Sequence, residues 1–276
     1  SPPPPPPPPP APPRAARRPP PPHVMWKGDA QRKYGSRARF SHCFGLIGIK
    51  SAEIDDPREW TWKGRIVFGG DQVRTGSGDW AIFEDVGSVL TSMSAARILL
   101  ACKMLMPELV LCQSDCISAY VQADLPEDDI TYVTLPREWW PEEHQWRFND
   151  GRTPVVRLRK ALYGHPDAGT YWEMHAEEHL SKVGFKPVTD WRSCFFHPVL
   201  SLFLIVYVDD FKMAGPEENH AAGWATIRSN QEGSAAMDIE APHPLDRCLG
   251  CLHRVTSYVK DGRTVRRMDY DMGDFM

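Results

Sequence analysis

The stretch Ser201-Leu202-Phe203-Leu204-Ile205-Val206-Tyr207-Val208-Asp209-Asp210-Phe211-Lys212-Met213-Ala214-Gly215 decides how this chain is read. Two runs of apolar residues flank a pair of adjacent acids. Asp is disfavoured inside strands and tolerates turn geometry, so the stretch predicts a β-hairpin with both carboxylates at or beside its turn. The apolar run from Leu200 to Val208, broken by Ser201, falls far short of the roughly 20 residues a membrane helix needs, and its Asp neighbours are costly in lipid. No membrane partner is expected.

Working outward, Leu109 to Asp115 reads as a buried strand that also ends on an acid, followed by strands at Ile130 to Leu135 and Val155 to Leu158. Between these and the hairpin, a helix is predicted after Asp167 as a possible cap. It carries Trp172, Ala176, His179, Leu180 and Val183 on one stripe and Gly184 as its C-terminal stop. A helix over Met93 to Met106 places Ile98, Leu99, Cys102 and Met106 at helical spacing, with Thr91 and Ser92 as cap candidates and Pro107 as a stop. From Trp26 to about Asp79 a small β region is predicted, with strands at Phe44 to Ile49 and Gly64 to Gly69 around the polar stretch Ser51 to Glu59. Mixed strands and helices in this order make the fold class α+β.

The 276 residues are 25% charged and 42% hydrophobic, ordinary for a globular protein. Ser1 to Pro22 is the exception: nearly all proline with Arg14, Arg17 and Arg18 interspersed, it reads as a polyproline II spacer rather than a ligand for proline-binding modules. The net charge of −4 argues weakly against a partner gripped through its phosphates. Seven cysteines, an odd number without framework spacing, point to reduced thiols in the cytoplasm or nucleus and to no disulfides.

Asp115 and the pair Asp209 and Asp210 lie far apart in sequence, yet neighbouring strands of one sheet can bring their ends to one rim. Three such carboxylates suit two hard divalent ions, Mg2+ or Mn2+, held roughly 3.5–4 Å apart to stabilise attacking and leaving oxygens in phosphoryl chemistry. In an arbitrary sequence an Asp-Asp pair simply marks a solvated turn. Other signals are weaker. Cys248, Cys251 and His253 resemble half a zinc site without its second half, His175 and His179 fit a helix surface or core, and Trp139 and Trp140 fit packing anchors as well as base-stacking platforms.

Five ordered segments decide between these readings: Lys63-Gly64-Arg65-Ile66-Val67, Ser114-Asp115-Cys116-Ile117-Ser118-Ala119-Tyr120, Leu158-Arg159-Lys160-Ala161-Leu162-Tyr163-Gly164, Tyr207-Val208-Asp209-Asp210 and Leu249-Gly250. Over Arg65 to Arg254 the chain resembles the reverse transcriptase of copia-type retrotransposons. The resemblance implies a right-hand polymerase: a disordered tail over 1–25, fingers and a palm with a ferredoxin-like antiparallel sheet over 26–255, and the start of a connection or a truncated thumb over 256–276. It implies that Asp115, Asp209 and Asp210 are both the catalytic acids and the metal ligands. Tyr120 matches the bulky residue beneath the sugar of the incoming nucleotide, with an ordinary core aromatic as the plain alternative. Arg65 resembles a fingers arginine on the triphosphate, assisted by Lys63, with solvated strand charges as the plain alternative. Partners implied are an RNA or DNA template with its primer, dNTPs and other segments of a retroelement polyprotein.

Two departures from the family pattern favour a second reading, a catalytically silent remnant that keeps the palm fold as a nucleic-acid binding or interaction module. His165-Pro166-Asp167-Ala168-Gly169-Thr170 replaces the usual Leu-Lys-Gln-Ala-Pro-Arg, which puts an acid where an amide is expected, and the chain ends at Met276 with no room for an RNase H domain. Asp167 has a plain structural explanation as a helix cap.

Overall fold

The computed structural model describes residues 24–50, 56–83, 93–106, 108–142, 148, 151–230, 236–245, 247–248 and 251–271. The proline-rich stretch, the cap candidates Thr91 and Ser92, Pro107 and the Leu249-Gly250 landmark lie outside them. In chain order the elements are β1 (Val24–Trp26), α1 (Lys27–Tyr34), β2 (Arg39–Lys50), β3 (Thr61–Phe68), β4 (Arg74–Thr75), α2 (Met93–Leu105), β5 (Leu109–Asp115), α3 (Ala119–Gln122), β6 (Thr131–Thr134) and β7 (Pro154–Arg157). They continue with α4 (Ala168–Lys182), β8 (Lys186–Val188), β9 (Trp191–His197), β10 (Leu202–Tyr207), β11 (Asp210–Pro216), α5 (Glu217–Ile227), β12 (His243–Pro244), β13 (Arg247–Cys248), β14 (Cys251–Lys260) and β15 (Arg263–Asp271). The chain folds into two compact units, one from residues 1–86 and 124–168 and the other from 87–123 and 169–276.

The first unit is built on a sheet of order β1-β7-β6-β2-β3, with β4 also on β2. Only β2 and β6 run parallel, Phe40 facing Tyr132; the other pairs are antiparallel. Because strand side chains alternate between faces, neighbouring residues feed different cores. Phe40 and Tyr132 join Ala30, Ala38, Ile130 and Val155, whereas Cys43 and Val133 join Phe68, Val73 and Leu158. Beyond Cys43, β2 and β3 continue as a two-stranded ribbon on which Leu46, Ile47, Trp62 and Ile66 are exposed. Strand β1 begins at Val24, paired with Val156, within the span 1–25 read as tail.

The second unit carries a six-stranded, wholly antiparallel sheet of order β12-β5-β11-β10-β9-β8. One face presents Leu111, Cys194, Ile205 and Ala214 to Ala95, Leu99 and Leu100 of α2. The other face meets α5 so closely that a Cβ on Gly223 would stand 2.4 Å from Leu202 Cδ1 and 3.1 Å from Met213 Sδ. The stripe expected on α4 is buried as read, Trp172, Ala176, His179, Leu180 and Val183 all pointing inward. Gly184 ends that helix region at φ 97, a conformation that favours glycine. The hairpin β14–β15 turns on Asp261-Gly262 at φ 51 and 72, two left-handed residues that match the right-handed twist of the strands.

The segment from Leu158 to Gly164 closes the first unit behind β3. Phe68 N donates to Tyr163 O at 2.8 Å, and Gly164, at φ 87, lies so near that a Cβ would sit 2.3 Å from Phe68 O. Gly164→Ala therefore combines backbone strain with a clash against a strand carbonyl and is predicted to cost roughly 2 kcal/mol or more, read as a lower urea midpoint.

Candidate functional site

Tyr207 pairs with Asp210 across β10 and β11, which leaves Val208 and Asp209 as a two-residue turn. Val208 sits at φ 56. For a β-branched residue that region is strained, on the order of 1–3 kcal/mol, and persists only where the surroundings fix it. Two hydrogen bonds do so: Trp172 Nε1 donates to Val208 O at 2.8 Å, and Cys116 N donates to Asp209 O at 2.6 Å. Both carbonyls of the turn are thus tied, one to α4 and one to the residue that follows Asp115.

The register of β11 on β5 sets Asp210 directly opposite Asp115. On the far side of β5, Cys116 bridges Ile239, and Glu240 N donates to Asp115 O at 2.8 Å, so Glu240 stands beside Asp115 in the same row. Like charges in directly opposed strand positions are unfavourable. Accordingly the Asp115 carboxyl is raised above its ordinary range, first by burial and then by Asp210, Glu240 and Asp209. Cations answer the row from within the protein: Lys212 Nζ lies 2.9 Å from Asp210 Oδ2, and the Arg228 guanidinium donates to the Glu240 carbonyl oxygen. Asp115, Asp210 and Glu240 thus set carboxylates in one row whose repulsion is only partly relieved, donors of the kind a hard divalent ion takes, while Asp115, Asp209 and Asp210 do not form a metal-spaced group of three among the described residues.

Asp238 and Glu240 were not found from sequence. Their signal is the alternation Asp238-Ile239-Glu240, which sets two acids on one side of a buried isoleucine. Gln122 of α3 fixes this segment. Its Nε2 donates to Asp238 O at 3.0 Å and to Ile117 O at 2.7 Å, and its Oε1 accepts from Asp238 N at 2.9 Å. The side-chain amide pairs with Asp238 as a strand neighbour would. Tyr120, on the same short helix, is half-buried and lines a cavity of about 580 Å³ together with Trp172, Glu173, Trp191, Arg192 and Val208. Lys63 and Arg65 belong to the first unit, both exposed on β3, with the Arg65 guanidinium 5.4 Å over the Tyr163 ring.

The family model described as reverse transcriptase (RNA-dependent DNA polymerase) matches residues 43–225, more than half of the chain. The chain belongs to the reverse transcriptase family. The mixed sheets and helices are compatible with such a domain, and the family implies a nucleic-acid template and primer and dNTPs as partners. The match includes all six residues singled out from sequence and ends before Asp238 and Glu240. No curated protein matches the chain. Among the described residues no helix is long and apolar enough to cross a membrane.

The departure from the family pattern at Asp167 is electrostatically answered inside the first unit. Arg39 Nη1 lies 3.7 Å from both Asp129 Oδ2 and Asp167 Oδ2. His165, packed against Phe68 and Phe83, approaches Asp129 Oδ2 at 3.7 Å, and its Nδ1 accepts from Asp167 N at 3.2 Å. The ligand atoms of Asp129, His165 and Asp167 lie within 4.8 Å of one another, a spacing that suits a metal ion, but Arg39 already supplies the cation there. Burial also pushes the His165 ring below its ordinary pKa, ahead of the opposing pull of Asp129 and Asp167.

The candidate helix histidines and Trp140 are packing residues. His179 is buried with Nε2 2.7 Å from Ile227 O, and His175 lies 5.8 Å from the Trp172 ring. Trp140 is buried, donates to Leu135 O and meets Phe148 edge-on. Cys248 pairs with Cys251 in the β13–β14 register, and the His253 ring packs edge-on to Tyr270. The Cys116 thiol is pushed up to about 12, mainly by burial, and donates to Asp238 O.

Because the folded pKa of Asp115 lies above its unfolded value, its protonated form is the one that stabilises the fold. That contribution is fully present below the ordinary carboxylate range near pH 4 and is lost as pH rises through the raised value. Asp115→Asn is therefore predicted to raise the Tm of the metal-free protein at neutral pH and to flatten the fall in Tm above that range, measured by calorimetry across pH in chelator.

Proposed function

We propose that this chain is the RNA-directed DNA polymerase of a copia-type retrotransposon, adding nucleotides from dNTPs to a primer 3′ hydroxyl. The observation that carries the reading is the pairing of Asp210 with Asp115 beside a turn that presents Asp209. In this reading the second unit is the palm with its ferredoxin-like sheet and the first unit is the fingers. Asp115, Asp209 and Asp210 would hold two Mg2+ or Mn2+ ions, which would supply stabilisation of the charge developing on the attacking and leaving oxygens.

The protein's own part is positioning. Trp172 and Cys116 fix the turn carbonyls, so the Asp209 backbone is held without needing substrate to order it. The primer oxygen forms a bond to the α-phosphorus as the bond to pyrophosphate breaks, and the reacting groups must lie in line. Tyr120 stands beneath the sugar and excludes a 2′ hydroxyl, supported by its position at the cavity wall beside Val208. Lys63 and Arg65, exposed on β3, bind the triphosphate.

Primer extension on an RNA template with Mg2+ or Mn2+ tests the reading. The parent chain should extend the primer, and Asp209→Asn should lose at least about a hundredfold in rate, the scale on which charge stabilisation at a phosphoryl centre is felt. No extension by the parent, alone or with the remaining polyprotein segments added, would leave the silent palm-fold module as the better account. Tyr120→Val should raise ribonucleotide incorporation relative to deoxyribonucleotide by about tenfold or more with little change in dNTP use, in single-nucleotide extension assays.

A further inference from the structure

Lys212 is unusual for where it sits. It follows Asp210 by two residues on β11, so both side chains project from the same face, and its own side chain is 4% exposed. Its neighbours in the register are Gln113 on β5 and Ile205 on β10, neither of them charged. Its ammonium reaches up the strand to Asp210 Oδ2 at 2.9 Å. A lysine is almost never buried without a paired charge, and breaking such a pair is far more damaging than never having had it. Asp210 therefore has a job besides any contact with a metal ion: it neutralises Lys212.

The same contact constrains the site. Asp115, Asp209, Asp210 and Glu240 contribute four carboxylates to one rim, and Lys212 removes one unit of that negative charge while tethering one oxygen of Asp210. We propose that Lys212 is a positioning residue of the carboxylate site, an internal counter-cation that restrains Asp210 and lowers the affinity of the remaining carboxylates for divalent ions. The inference rests on the two-metal reading of Asp115, Asp209 and Asp210. Its consequence is that Asp210 can offer an entering ion only the oxygen that Lys212 does not hold.

Direct binding of Mn2+ to the full chain, followed by the loss of free-ion electron paramagnetic signal, separates the two ideas. Lys212→Met keeps the volume and removes the charge; it is expected to bind Mn2+ about tenfold more tightly than the parent, the scale of one unit charge a few ångströms away in a partly solvated site. Lys212→Arg keeps the charge and is expected to bind within about twofold of the parent. Equal or weaker binding by folded Lys212→Met would overturn the role of Lys212 and leave the metal reading intact, whereas a parent that binds no Mn2+ would overturn both.

A second measurement stands if Lys212→Met does not fold. Asp210→Asn leaves Lys212 buried without its carboxylate and should lower the Tm in chelator, while Asp209→Asn, which leaves the pair intact, should not. Equal Tm values for Asp210→Asn and the parent would overturn the proposal.

Discussion

The antiparallel pairing of β11 with β5 governs the second unit, because it sets Asp210 opposite Asp115. Side chains alternate with a period of two, so a slip of one residue would send Asp210 and Lys212 to the opposite face and bury them against α5. The register is fixed by apolar neighbours on both faces: Leu111 and Ala214 belong to the core under α2, and Met213 faces Gly223 of α5. The repulsion between Asp115, Asp210 and Glu240 is imposed on the site by hydrophobic packing several residues away. Function and stability pull against each other here, as they do wherever charges are gathered before their counter-ion arrives.

The turn at Val208 is a second place where packing sustains an unfavourable local state. A glycine or asparagine would adopt φ 56 without strain. Valine does so because the Trp172 indole and the Cys116 amide hold the carbonyls on either side of the strained Val208–Asp209 link. Trp172 is itself almost wholly buried in the stripe that seats α4. The position of Asp209 is thereby coupled to the packing of a helix that carries no catalytic acid.

Much of this was legible in the residues. β5 and α2 carry strong periodic signals, and the hairpin around Asp209 was read from two apolar runs and two acids. Other elements hid their signals. On α5 the inward residues His220, Gly223, Trp224 and Ile227 fall at helical spacing, but a histidine and a mid-helix glycine obscure the apolar stripe. The hairpin β14–β15 was announced by Asp261-Gly262, the strongest short-range hairpin signal there is, in a stretch too polar to suggest strands. Asp238 and Glu240 were missed for a different reason: what brings them to Asp115 is a bridge between residues 116 and 239, and no local pattern encodes a contact across so much chain.

The chain passes from the first unit to the second, back to the first and again to the second. During synthesis the first unit has all its strands once residue 168 has emerged. β5, by contrast, has been made long before its partner β11 begins at Asp210. At the usual pace of translation, roughly 5–20 residues per second, the apolar strand Leu109 to Asp115 waits on the order of 5–20 seconds without its neighbour. In that interval it is an open sheet edge at the ribosome, the part of the molecule on which chaperones and aggregation compete.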